Sequence, residues 1–167
     1  LVLILTEESD TTVSGGVFAE PVAAKYLAEG YVFSVQDGKY VVEEGTAQAF
    51  VVHGEEEYSF ASVADALAFA AEGDTVRLNA DVTENVTINK SLTLDLDGYT
   101  ISSGSGYAVD VIGGLTQEEK IEVTILSTGA QSMIGSDKNN VGLNVKNYAE
   151  VTVENVYAKG NVYGVQM

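Results

Sequence analysis

The chain has no cysteine, no tryptophan and a single proline, and its only arginine is Arg77. Without cysteine there are no disulfides, no zinc–thiolate sites and no thiol nucleophile. Positive charge is scarce: 8 Lys and Arg stand against 25 Asp and Glu, a formal net charge of −17. Nucleic acid and anionic lipid are thereby excluded as partners, because both are held by Lys and Arg on phosphate. A polyanionic polysaccharide is a poor substrate for the same reason. Long apolar runs are missing too. The longest, Leu1-Val2-Leu3-Ile4-Leu5, is far too short to span a bilayer and lacks the basic flank and cleavage site of a signal peptide. Membrane insertion is not expected. The first residue is Leu and not Met, as in a processed product or a part of a longer chain. Hydrophobic residues still make up 46% of the 167, so the charge belongs on the surface of a folded protein and not on a disordered chain.

What is present is alternation. Thr75–Leu78, Ser91–Leu96, Lys120–Ile125 and Ala149–Val153 each read apolar–polar–apolar and are rich in Val, Ile and Thr, the period-2 signature of a half-buried strand. Leu94 to Val123 is 29 positions and Val123 to Val151 is 28; Leu78 to Leu94, at 16, is a shorter first turn. A second family, Tyr107–Val111, Val141–Val145 and Val162–Gln166, is spaced by 34 and 22 positions, again averaging 28. Two interleaved strand families with one mean period are what a coiled solenoid produces. The links are polar and glycine-rich, as at Ser102–Gly106 and Gly135–Asn140, and suit corners better than the tight hairpins of a sandwich. The expected fold is mainly β: a right-handed parallel β-helix with a short N-terminal capping helix, its inward column running through Leu94, Val123 and Val151.

Ahead of the first strand, Ser62 to Asp65 reads as a capping box. Val63, Ala66, Leu67 and Ala70 lie on one helical face, and Gly73 stops the helix. Such a helix would cover the open end of the coil. Further upstream, Pro21 opens a short helix running to Gly30, and Asp37-Gly38 marks a β-hairpin between Tyr31–Val35 and Lys39–Val42. A second hairpin joins Ala49–Val52 to Tyr58–Phe60.

Three stretches resemble repetitive cell-surface proteins of Gram-positive bacteria with pectin-lyase-like β-helix modules. They are Tyr58–Leu67, Gly73–Val76 and above all Leu92-Thr93-Leu94-Asp95-Leu96-Asp97-Gly98-Tyr99-Thr100-Ile101. In that family similar segments begin a module, and Val13–Phe18 through Tyr26–Tyr31 looks like a module's end. The resemblance implies that residues 1–45 close one module, with strands, a helix at about 21–29 and a hairpin at 31–42. Residues 46–167 would then begin the next, with a hairpin, a cap helix at about 62–72 and about four rungs. The end precedes the start, so the chain is either one slice of a tandem array or a permuted subunit that finishes its neighbour's coil.

The expected function is that of a structural repeat or subunit of an extracellular bacterial surface protein or fibre. It would assemble head to tail with copies of itself or adjacent repeats, by stacking or strand addition. The assembly residues are Leu1, Leu3, Leu5, Val13 and Val17 from one end and Val151, Val153 and Val165 from the other. An adhesin for glycan or host ligands is the alternative, with tyrosines 99, 107, 148, 157 and 163 as a stacking platform. A remnant of a polysaccharide lyase or hydrolase is the second alternative, but no enzyme is expected. Enzymes of the resembled class combine carboxylates, often with calcium, and Lys or Arg; this chain is poor in both cations. Asp95, Asp97, Asp110, Glu122 and Glu150 are outward carboxylates, and Glu122 and Glu150 fall on adjacent rungs, able to repel or to share a cation. Asp137-Lys138-Asn139-Asn140 is the nearest approach to a calcium loop, and no cofactor is expected. His53, before Gly54, reads as a turn residue.

Overall fold

A computed structural model describes residues 12–136, 138 and 140–167. It is mainly β, with parallel sheets and one α-helix. No described helix is long and apolar enough to cross a membrane. Two antiparallel hairpins come first. β1 (Gly16–Phe18) lies on β3 (Lys39–Glu44), which pairs with β2 (Tyr31–Gln36). The β2–β3 turn holds Asp37 at φ 51° and Gly38 at φ 70°, two consecutive left-handed residues that match the twist of the strands they join. β4 (Ala49–His53) and β5 (Glu56–Phe60) make the second hairpin. β2 meets β5 in parallel through Phe33 and Phe60, so the segments on either side of residue 45 share one sheet. Phe18, Phe33, Tyr40, Phe60 and Phe69 form a chain of edge-on and tilted ring contacts around this junction, with centroids 5.4–6.4 Å apart. Such geometry suits the ring quadrupoles.

The helix expected over 21–29 is a single 3-10 turn, Ala24–Tyr26. It goes no further because its neighbours are used elsewhere. Leu27 bridges Val13 in parallel, with Val13 N–H donating to Tyr26 and Ala28 N–H to Val13.

The helix α1 (Val63–Phe69) buries Val63, Ala66 and Leu67, on the face that the spacing predicts. Ser62 caps it by accepting from Asp65 N–H at 3.0 Å. The carboxylate on the next two N–H groups comes from 20 residues away. Glu84 accepts from Val63 and Ala64, both at 3.1 Å. At the other end Lys90 donates to the carbonyls of Leu67 and Ala70 at 3.0 and 2.7 Å. An anion at the N-terminus and a cation at the C-terminus both suit the helix dipole.

Twelve strands follow, recurring in threes. The first members are β6 (Thr75–Leu78), β9 (Leu92–Asp95), β12 (Ile121–Leu126) and β15 (Ala149–Glu154). The second are β7 (Val82–Thr83), β10 (Thr100–Ser102), β13 (Ser132–Gly135) and β16 (Val156–Lys159). The third are β8 (Val86–Ile88), β11 (Tyr107–Ile112), β14 (Val141–Lys146) and β17 (Tyr163–Gln166). Each strand pairs in parallel with its counterpart three strands on. The first family extends the hairpins into a sheet of order β1-β3-β2-β5-β4-β6-β9-β12-β15.

The register differs from the expected column. Val123 lies opposite Leu92 and Val151, and Leu94 opposite Val76 and Ile125. A slip of two residues keeps every side chain on its face, so alternation alone cannot fix it. The columns Val76–Leu94–Ile125–Val153 and Val86–Val109–Leu143–Val165 continue the aromatic junction as an aliphatic core.

Burial along one column falls away at its last member: Ile125 is 0% exposed and Val153 44%. Ile125→Ala is expected to cost about 2–5 kcal/mol, as deletion of a buried branched side chain does. Val153→Ala should cost less than about 1 kcal/mol in the isolated chain. Urea unfolding of the two variants measures the difference, and equal costs would contradict the placement.

Candidate functional site

Among the described residues, the last three strands, β15 to β17, each have a parallel neighbour on one side only. Their inward residues Val151, Val153, Val156, Ala158 and Val165 continue the buried columns of the strands before them. Among the described residues nothing covers them. Val153 and Val165 are 44% and 48% exposed, against 2% for Leu143, the neighbour of Val165 in its column. The turn is nevertheless well held from behind. Asn155, at φ 56°, donates its side-chain amide to the carbonyls of Ser127 and Gly129 at 3.1 and 3.3 Å. This locks the corner between β15 and β16 onto the corner beneath it. Tyr148, Tyr157 and Tyr163, three of the five tyrosines weighed as a platform, are also exposed here.

The assembly residues therefore separate into groups. Val151, Val153 and Val165 come together on this last turn. Val17 lies at the other edge of the nine-stranded sheet, 62% exposed on β1. Val13 is buried against Leu27 and so is used within the chain. Leu1, Leu3 and Leu5 lie outside the described residues.

The five carboxylates are not gathered. Asp95 is buried, accepting from the N–H groups of Asp97 and Thr128 and from the Thr128 hydroxyl at 2.9, 3.0 and 2.7 Å. It shapes a corner in which Asp97 takes φ 45°. Asp110, on a different sheet, accepts from the Asn144 amide at 2.7 Å and the Lys146 ammonium at 2.9 Å. Glu122 and Glu150 do stand opposite one another on adjacent strands. The cation they share is the chain's own: Lys120 Nζ is 3.1 Å from Glu122 and 2.5 Å from Glu150. Hydrogen bonding to Lys120 holds the Glu150 carboxyl below its usual range, and hydrogen bonds to Glu150 and Glu122 raise Lys120. No group of three His, Cys, Asp or Glu among the described residues is arranged to hold a metal ion. Of the calcium-like loop, Asp137 and Asn139 lie outside the described residues.

His53 does more than occupy a turn. It ends β4, and its Nδ1 lies 2.7 Å from Oδ1 of the buried Asp74, whose other oxygen accepts from Ala71 N–H at 2.7 Å. Nothing local in sequence signals this pair, since 21 residues separate its members. A hollow of about 640 Å³ lies between Glu72 and the loop Gly113–Lys120. Its rim carries Glu72, Glu118 and Glu119 beside Lys120. The chain matches no family model, no curated protein and no solved structure.

The Lys120 bridge makes a test of the electrostatics of this face. Lys120→Ala removes the ammonium and leaves Glu122 opposite Glu150 as like charges. Because the folded-state Glu150 carboxyl is depressed, its contribution is present above the unfolded carboxylate pKa and lost as pH falls through the folded value. The variant should therefore melt below the parent at pH 7 in low salt. The gap should close as pH falls through the carboxylate range, and also in molar salt. Differential scanning calorimetry at both pH values and both salt levels checks it; a gap independent of pH and salt would point to lost packing instead.

Proposed function

We propose that the chain is a structural repeat or subunit of an extracellular bacterial surface protein or fibre, with its strands β6 to β17 wound as a right-handed parallel β-helix. The strand triplets support the coil, since parallel crossover connections are right-handed almost without exception. One observation carries the function: the two ends of the stack are finished differently. The first end is closed by aromatic hairpins and by α1, pinned by Glu84 and Lys90. Among the described residues, the last turn presents exposed valines and strand edges with no further neighbour. Open edges recruit further strands, so the last turn is an acceptor for the next length of coil. Such a contact joins unlike surfaces, does not close on itself, and builds arrays or fibres. The acidic surface keeps subunits soluble before they meet. The resemblance of Leu92–Ile101 and its neighbours to Gram-positive surface repeats agrees with this reading and supplies the compartment.

A glycan-binding adhesin is the second reading, and the exposed tyrosines 148, 157 and 163 favour it, because aromatic faces stack on sugar rings. Both readings use the same end of the molecule.

Electron microscopy of the native material, with denaturing electrophoresis of the same sample, separates them. Fibres that dissolve to one band near 17.6 kDa are expected if subunits complete one another's coils. A very large band or a ladder would mean a covalent array. The double variant Val153→Asp with Val165→Asp should leave the purified chain monomeric in light scattering. Monodisperse wild-type particles with measurable glycan binding would reverse the order of the two readings.

A further inference from the structure

We propose that the chain binds the ring of one neutral sugar in a hollow among its first hairpins, away from the exposed tyrosines and whether or not the coil assembles. The hollow measures about 470 Å³, within the range of small-molecule sites. Its floor is the face of the first sheet opposite the aromatic junction. Phe33 and Phe60 meet in that junction, so their chain neighbours Val32 and Ser59 point to the other face. Phe50 stands opposite Ser59 on β4 and shares that face. The rest of the lining comes from the segment 27–31 and from residues 45–47 and 79. It is held in place without a ligand, because Gly45 N–H donates to the Gly30 carbonyl at 2.8 Å and the Asn79 amide to the Ala47 carbonyl at 3.0 Å. Sites fixed in this way lose little on binding.

The observation that points to a ligand is Ser59. Among the described residues eight polar side chains are buried, and seven of them hydrogen-bond within the chain. Ser59 is 5% exposed, lines the hollow, and its hydroxyl bonds to none of the described residues. A buried hydroxyl without a partner is costly. The chemistry of the lining then selects the ligand. An apolar molecule would seal the hydroxyl away from any partner. A cation needs a carboxylate beside it once out of water, and the one carboxylate among the described lining residues, Glu29, is exposed. An anion meets a chain of net charge −17. The nearest cation to Phe50, the Arg77 guanidinium 5.4 Å from its ring centre, is already committed to Glu57 at 2.6 Å. What remains is an uncharged molecule with hydroxyl groups and an apolar face. A pyranose ring has both: its hydroxyls suit Ser59 and the free N–H of the Asn79 amide, and its C–H face suits the Phe50 ring.

Titration of the isotope-labelled full chain with glucose, galactose, mannose and N-acetylglucosamine, followed by amide chemical shifts, tests the site. At least one of these sugars should move the amides of Val32, Ala47, Phe50 and Ser59, and glucuronate should not. Ser59→Ala keeps the shape of the hollow and should weaken binding by about three- to tenfold, the worth of one hydrogen bond. Ser59→Leu fills the hollow and should abolish binding, with circular dichroism reporting that the variant is folded. Tyr157→Ala combined with Tyr163→Ala should bind as the parent does. The methyl glycoside of the bound sugar tells a free sugar from the end residue of a glycan, and binding of either supports the site. If none of the four sugars moves these amides, or if both Ser59 variants bind as well as the parent, the site is wrong. Loss of binding in the tyrosine variant alone would overturn the hollow and leave the adhesin reading at the last turn standing.

Discussion

A parallel stack satisfies each strand only through the strands on either side of it, and the rest of this structure follows from that constraint. The backbone hydrogen bonds and the inward side chain of Leu94 are covered by Val76 and Ile125, and those in turn need covers of their own. The stack therefore has two ends by necessity, each a row of unpaired N–H and C=O groups over an apolar floor. Here the two are treated differently. The first strand is met by an antiparallel hairpin, through Val51 on Val76, and by a helix whose termini are tied down by Glu84 and Lys90. The last strands are anchored from behind by Asn155, and among the described residues nothing lies in front of them.

Much of this was legible in the sequence because strand alternation, hairpin turns and a helical face are local signals. Asp37-Gly38 and the Val63–Ala70 face needed no partner to be read. The rest was hidden because it is set by contacts between distant residues. The family β7, β10, β13 and β16 has strands of two to four residues, too short for alternation to show. The two-residue slip in the Leu94 column preserves the inward pattern, so only stacking could reveal it. The helix cap was expected from Asp65 and comes in good part from Glu84, and His53 found Asp74 across 21 residues. Of the candidate site, the valines of the last turn were readable as inward positions. Their exposure was not, since burial depends on what lies above them.

Stacking also explains how so acidic a chain tolerates close strand packing. In a parallel stack each position faces its counterpart on the next strand at strand spacing, so a carboxylate kept at one position would meet another carboxylate on each neighbour. The columns avoid this. Thr75, Thr93, Thr124 and Thr152 form one neutral outward column. Beside it Arg77 faces Asp95, and Leu126 separates Asp95 from Glu154. On another sheet Asp110 sits between Thr87 and Asn144, with Gln166 beyond. Among the described parallel pairs the one direct meeting of like charges is Glu122 with Glu150, and Lys120 bridges it.

The same rule restricts what can be added to the open end. A strand laid on β15 must present apolar residues inward and something other than a carboxylate opposite Glu150 and Glu154. Most strands of this chain fail that test or are already paired on both sides. A generic edge strand from an acidic neighbour would fail it too, because unscreened carboxylates at strand spacing repel. The outward glutamates of β15 thus discourage indiscriminate edge pairing, as charged residues on exposed strands do. They leave the edge open to a strand that is apolar on both faces. Compatibility with the edge of β15 is thus set by the same column rule that keeps the interior strands stackable.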